Sequence, residues 1–322
     1  MDIDHLTEKE RYDMLAEMAD MYYNQGKTQS EIAKYFETNR FRVAKLIQDA
    51  RNEQIVEIKI NHSNERNSSL EAELMKKLPL QKAIVVNTQY SSYIDSMKQV
   101  GKAGADYLQR LLNPGTTIGL TWGKTIYSVV SQLPSVVNNP VTSVQMTGGL
   151  RTNNPATDSR ELVRTVATSY NGTYHFLYAP VYVNSNETRE ALRREPMLRE
   201  TFEKMGKMDV VLSGLGGKSS LPLSNPVFRE YLTEKDRAFE SSSIGSLYGY
   251  VLDQEGNPAD IDLNRKLVGA SLEDILKTPH RLVVACGRHK TRCICKTVEK
   301  GLFNELVTDS DTAFHLIESL EK

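Results

Sequence analysis

The chain is poor in several things, and each shortage narrows what it can be. It carries three cysteines in 322 residues, Cys286, Cys293 and Cys295, all close together near one end. An odd, clustered set makes no disulfide framework and suits a reducing compartment. With His289 nearby, a metal site is the sharper reading, but no second ligand pair stands at zinc spacing. Buried thiols are therefore the expectation, with no metal and no cofactor assigned. No apolar run approaches the ~20 residues that a membrane span needs. The opening MDIDHLTEKERYDM is acidic and has no apolar core, so neither a signal nor a transit peptide is expected. These features point to a cytoplasmic protein without a membrane partner. Neither sign of charge is in excess: 40 Lys+Arg stand against 41 Asp+Glu, net −1. That balance excludes coating nucleic acid by bulk charge, yet leaves room for a small basic reading surface. Catalytic signatures are missing too: there is no GxSxG elbow, no HExxH and no paired metal-binding histidines. His175 and His280 lie near strand ends and read as structural.

What is present divides the chain in two. Over residues 1–60, Leu15, Met18, Ala19 and Tyr22 recur at helical spacing, and Gly26 ends that helix. Thr28 with Glu31 makes a capping box for a second helix, whose apolar face is Ile32, Ala33 and Phe36. Asn39 can cap a third helix with Val43, Leu46, Ile47 and Ala50 on its inner side. Residues 55–60 alternate like a strand. The run NHSNERNSS at 61–69 has linker composition. Leu70, Leu74 and Leu78 then repeat at spacing four, which suits either a dimer seam or packing on the following domain.

From Lys82 onward, strands predicted at 83–87, 116–121, 141–146, 209–213, 247–252, 281–286 and 305–308 alternate with helices at 96–112, 123–133, 158–170, 288–300 and 310–320. Such alternation predicts a mostly parallel sheet with helices on both faces. The fold class is α/β: an N-terminal all-α helix-turn-helix head on a Rossmann-like, mostly parallel α/β body. The expected division is 1–60 for the head, 61–80 for a linker and oligomerisation helix, and 81–322 for an effector-binding domain.

The head carries the helix-turn-helix pattern across residues 28–47. Ala33 is small where two helices cross, and Ile32, Val43 and Leu46 fill the space between them. Asn39, Arg40, Phe41, Arg42 and Lys45 fall on the exposed N-terminal half of the second helix, where a recognition helix meets base edges. Thr28 and Gln29 are placed to touch backbone phosphate. Residues 1–60 hold 9 basic and 12 acidic side chains, net −3, whereas residues 39–51 are net +3. The positive charge is thus focused on the candidate reading helix. Glu37 stands where many such turns have glycine. A solvated protein-interaction module is the competing reading.

In the body, four strand ends carry glycine loops. GLTWGKT at 119–125 follows a strand and opens a helix, offering backbone N–H groups, Thr121, Gly123, Lys124 and Thr125 to a phosphate. Its spacing does not match a Walker A loop. MTGG at 146–149 brings Thr147, Gly148 and Gly149 to the next strand end, and Asp158 opens the helix that follows. SGLGG at 213–217 adds Gly214, Gly216 and Gly217. ACGRHK at 285–290 ends in Lys290, the best single candidate for an anion contact. Glycines also end strands for steric reasons alone. Four such loops at carboxyl ends, where open sheets bind ligands, point to a small phosphorylated anion. Trp122 can stack on a sugar or pack in the core.

The order of helix-turn-helix, linker helix, GLTWGKT, MTGG, SGLGG, IGSLYGYVLDQEGN and VVACGRHKTRCICKTVEKGLFNELVTDSDTA resembles the bacterial SorC/DeoR family of sugar-operon regulators, across essentially the whole chain. The resemblance implies an effector domain similar in fold to glucosamine-6-phosphate deaminases and ribose-5-phosphate isomerases, with enzymatic activity lost. It also implies a phosphorylated sugar effector, a homo-oligomer that is a dimer or tetramer, and an operator with palindromic or repeated half-sites. Carried over, the phosphate loop falls on Thr121, Gly123, Lys124 and Thr125, the sugar-facing loop on Thr147, Gly148 and Gly149, and the phosphate-side lysine on Lys290. Three positions depart from the family pattern. Ser246 stands where members often carry Asp or Glu that binds sugar hydroxyls. Thr147 replaces a Lys or Arg, which excludes an imine-forming lysine there. Cys286-Gly-Arg replaces Gly-Gly. The expected function is a ligand-responsive, sequence-specific DNA-binding regulator; the alternative is a sugar-phosphate isomerase or deaminase bearing a DNA-binding head.

Overall fold

The computed structural model describes residues 7–56, 66–88, 91–135, 137–150 and 154–321. It separates into two compact units, residues 1–63 and 64–322. In the head, α1 (Glu8–Tyr23) starts at a Thr7/Glu10 capping box and α2 (Gln29–Tyr35) at the Thr28/Glu31 box read from the sequence. In α3 (Arg40–Asn52), Asn39 caps the first turn by accepting from Arg42 N–H at 2.9 Å. Leu15, Met18, Ile32, Val43, Ile47 and Ala50 close a separate small core. Ile55 and Val56 pack against that core without forming a strand, and residues 57–60 of the predicted strand lie outside the described residues.

The turn between α2 and α3 is tight for a definable reason. Thr38 N–H donates to Ala33 C=O at 2.9 Å and Glu37 N–H to Lys34 C=O at 3.4 Å, the paired bonds of a Schellman end. That end needs a left-handed residue, and Glu37 supplies it at φ 50°. The turn keeps its usual shape with a side chain where glycine is easier.

The body begins with α4 (Ser68–Lys77) and β1 (Lys82–Val86), then runs α5 (Tyr93–Leu111), β2 (Thr117–Leu120), α6 (Lys124–Val130), β3 (Thr142–Gln145), α7 (Ser159–Ser169) and β4 (Thr173–His175). There follow α8 (Asn186–Arg194), α9 (Pro196–Met205), β5 (Val210–Gly216), α10 (Glu234–Phe239), β6 (Gly245–Leu247), β7 (Tyr250–Leu252), α11 (Asp262–Arg265) and α12 (Leu272–Lys277). The chain closes with β8 (His280–Val284), α13 (Thr291–Glu299), β9 (Glu305–Asp309) and α14 (Ser310–Leu320). Seven strands form a parallel sheet in the order β1-β9-β8-β5-β2-β3-β4; β6 attaches antiparallel to β5, and β7 antiparallel to β6. Two apolar clusters, one for each face, are built on the strands. Leu74 and Leu78 belong to one of them, so that part of the leucine stripe packs inside the body.

Strand order decides where a ligand can sit. From β2 the chain moves outward through β3 to β4; from β5 it moves the other way through β8 to β9. The crevice between the carboxyl ends of β2 and β5 is therefore a topological switch point. One predicted strand, 247–252, proves to be a hairpin. Tyr248 at φ 57° and Gly249 at φ 91° reverse the chain between Leu247 and Tyr250, as a two-residue turn requires. Tyrosine gives no turn signal; it is held there because its hydroxyl donates to Leu302 C=O at 3.0 Å.

Candidate functional site

At the switch point the loops leave a cavity of about 470 Å3. Of the sequence candidates, Thr121, Gly123, Lys124, Thr125, Gly214, Gly216, Ser246 and Lys290 line it. Thr121 is buried and its hydroxyl lies 3.1 Å from that of Ser213, tying the ends of β2 and β5 together. Gly123 sits at φ 118° and sends its N–H to Thr157 C=O at 3.0 Å, while α6 starts without a side-chain cap. Strand β5 then runs past the cavity. Thr125 flanks Gly214, 3.6 Å from where a Cβ would stand, and Ser246 Oγ flanks Gly216 at 2.6 Å from such a Cβ. Only Gly216 is crowded by the hairpin, with which it pairs; a Cβ on Gly214 would make ordinary contact with α6.

Lys290 closes the far end. A 3-10 turn, Arg288–Lys290, follows Gly287 at φ 106° and leads into α13, which also lacks a side-chain cap. Only 7% of Lys290 is exposed, and its amine has no hydrogen-bond partner among the described residues. Burial pushes its pKa below the usual lysine value, against an opposing pull from Cys286, Cys293 and Asp309. The Lys290 amine is not among the fully buried polar atoms without a partner, so it opens on the cavity, where solvent or an anion can complete it. His289 beside it is also lowered by burial, with Lys290 adding to the effect, and so stays neutral near pH 7. All three cysteines are free and buried; burial raises the Cys293 thiol to about 12 and the Cys295 thiol to about 11. They are packing residues.

The remaining candidates are placed elsewhere. Thr147, Gly148, Gly149 and Asp158 do not line the cavity. Gly148 N–H donates to Val268 C=O at 2.9 Å and Gly149 N–H to Ala179 C=O at 2.7 Å. A Cβ on Gly148 would stand 2.2 Å from Pro180 O, so this glycine answers a backbone crossing. Asp158 caps α7, accepting from Arg160 N–H at 2.8 Å. Gly217 stands behind the cavity wall, with His289 Cδ2 at 3.2 Å from its would-be Cβ. His280 is paired with buried Glu305 at 2.7 Å, at the opposite ends of the strands. Trp122 packs against the apolar cluster beneath the hairpin, near Gly249, and also lines the cavity.

The sequence did not reveal Tyr93, Ser220, Asn225, Phe228 and Tyr248, which complete the wall. Three of them come from the 3-10 turns between β5 and α10, which have no periodicity to read. Pro222 and the Asn225-Pro226 pair were the available signal, as turn chemistry next to a glycine loop.

In the head, Arg40, Phe41 and Lys45 are exposed on the first turns of α3, Phe41 at 82%. The Arg40 guanidinium lies 6.0 Å from the Phe41 ring centroid. Two other candidates already have local work. Thr28 is held in its capping box, with its hydroxyl 2.7 Å from Glu31 Oε2, and the Asn39 oxygen caps α3, leaving its amide N–H groups for a ligand. Gln29 begins α2 half-buried, and Arg42 is half-buried on α3.

Comparison with known proteins agrees with this architecture. Residues 62–318 match the family model described as "Putative sugar-binding domain". The deoxyribonucleoside regulator of Bacillus subtilis is 24% identical over 315 residues, covering 97% of this chain and 100% of that protein. The sorbitol operon regulator of Klebsiella pneumoniae is 24% identical over 310 residues, covering 95% and 98%. Among solved structures, full-length SorC from Klebsiella pneumoniae superimposes with a TM-score of 0.69 at 24% identity, covering 95% of this chain and 99% of that one. A DeoR family regulator from Listeria monocytogenes gives 0.68 at 22% identity, covering 77% and 98%. At these identities the structural likeness establishes the fold.

Proposed function

The chain belongs to the sugar-binding-domain family of SorC/DeoR transcriptional regulators, and from that premise we propose that it binds operator DNA through α3 and responds to a phosphorylated sugar held in the switch-point cavity. The observation that carries the effector half is Lys290, a largely buried lysine on the cavity wall beyond the carboxyl end of β5. A phosphate there accepts from Lys290 and from the backbone N–H groups of Trp122, Lys124 and Thr125, since those of Thr121 and Gly123 already donate to Leu212 and Thr157 C=O. Trp122, Phe228 and Tyr248 supply apolar wall on which the carbon skeleton of a sugar can pack. On the DNA side, Arg40 suits bidentate pairing with guanine, and Phe41 an apolar contact with a thymine methyl.

The effector acts by its differential affinity for two states of the protein, and that difference limits how far operator binding shifts. A homo-oligomer supplies several reading helices, so the operator carries palindromic or repeated half-sites. The enzyme alternative needs a carboxylate base in the cavity, and no Asp or Glu lines it among the described residues. Likewise, no described helix is long and apolar enough to cross a membrane.

The test has two parts on the purified full chain. Selection from random duplexes should yield a two-half-site operator, and a panel of sugar mono- and bisphosphates should contain one that raises Tm and changes operator affinity. Selection without a consensus sinks the DNA half of the proposal. Turnover of any sugar phosphate sinks the assignment as a regulator without catalysis.

A further inference from the structure

We infer that the cavity takes a phosphorylated carbohydrate whose other substituents are uncharged hydroxyls, and that it rejects the amino sugar phosphate of the same shape. This rests on the sugar-phosphate reading above and adds a selectivity to it. The cavity wall is one-sided in charge. Lys124 stands exposed at the rim, Lys290 is buried in the wall, and no Asp or Glu is among the described lining residues, although Asp309 and Asp311 line an adjoining depression that shares Tyr93.

The carboxylate that acts on Lys290 through space, Asp309, is occupied elsewhere. It accepts from Gly287 N–H at 3.0 Å, from Thr312 N–H at 2.8 Å and from the Thr312 hydroxyl at 2.6 Å, and it lines a neighbouring depression. The polar groups that remain for the sugar are neutral: Ser220, Asn225 and Ser246. These can donate to and accept from hydroxyls. A sugar ammonium placed among them would meet two lysines in a partly desolvated site with no carboxylate to complete it. Ser246 is the position that sets this, since it lines the cavity from β6, paired with Gly216, where a carboxylate would turn the balance.

The experiment is isothermal titration of the full chain at pH 7 with matched pairs: glucose 6-phosphate against glucosamine 6-phosphate, and galactose 6-phosphate against galactosamine 6-phosphate. Pentose phosphates and sugar bisphosphates extend the hydroxyl set. In any pair that binds, the hydroxyl member should bind at least tenfold more tightly, about 1.4 kcal/mol. Ser246→Asp should narrow or reverse that ratio while remaining folded by its melting curve. An amino member that binds wild-type protein as tightly as its hydroxyl partner overturns the inference and leaves the sugar-phosphate reading standing. If no phosphate in the set binds, the reading of the cavity itself fails, and the selectivity falls with it.

Discussion

Replacing Lys290 by methionine separates a residue kept for a ligand from one kept for the fold. Methionine preserves most of the length and volume of the side chain and removes only the charge, so it opens no cavity. Lys290 is 7% exposed and unpartnered, and its lowered pKa states that the fold disfavours the ammonium. Removing a group of this kind should stabilise the unliganded body by about 1 kcal/mol, or about 2–4 °C in Tm for a domain of this size.

The pH dependence has a fixed sign. Because the folded-state pKa lies below the unfolded one, the unfolded chain binds more protons between the two values. The contribution of Lys290 to stability therefore rises with pH across that window, and Lys290→Met should lose this rise. Effector binding moves in the opposite direction. Losing a buried charge-assisted contact costs about 2–5 kcal/mol, which is roughly thirtyfold to several thousandfold in Kd. Melting curves of both proteins, with and without the effector, read both effects. A variant that melts lower without ligand yet retains the wild-type effector shift would refute the reasoning, since Lys290 would then be a structural residue.

Three further outcomes follow from individual residues. Glu37→Gly should stabilise the head by about 1 kcal/mol, because Glu37 occupies a left-handed position at φ 50°; a lower melting temperature would show that its side chain makes a compensating contact. Arg40→Ala and Arg42→Ala should each weaken operator binding by about 1–3 kcal/mol and relax specificity at the base they read, as followed by fluorescence anisotropy. Unchanged affinity in both would displace α3 as the reading helix. Gly148→Ala should destabilise the body by about 1–3 kcal/mol, since its Cβ would collide with Pro180 O at 2.2 Å; thermal melting at wild-type temperature would return that glycine to the list of ligand contacts.

Much of the architecture could be read from local chemistry. The capping boxes at Thr7/Glu10 and Thr28/Glu31 and the Asn39 cap mark where the head helices start, and apolar runs such as KAIVV and HRLVV mark strands buried on both faces. Elements with weak burial escaped. β4 is a three-residue edge strand with two exposed positions, and α8 buries no residue at all, so neither leaves an apolar signature. The cavity was half legible. Gly123, Gly214, Gly216 and Lys290 line the cavity because the loops after β2, β5 and β8 meet at the switch point, where the sequence pattern already placed strand ends. Gly148 lies outside the cavity lining and admits a backbone crossing at Pro180, which looks the same in sequence as a glycine admitting a ligand. Tyr248 and Phe228 were hidden because their place in the wall depends on a hairpin and a chain of 3-10 turns that only tertiary packing fixes.

The central claim is that one chain couples a sugar-phosphate cavity to DNA reading, and reciprocity tests it most directly. The effector dissociation constant, measured by titration calorimetry on the free protein and again on the operator-saturated protein, should differ by a factor of about 5–150. The effector should change operator affinity by that same factor in the same direction. Equal effector affinities with and without operator would contradict the account, because cavity and reading helix would then be independent.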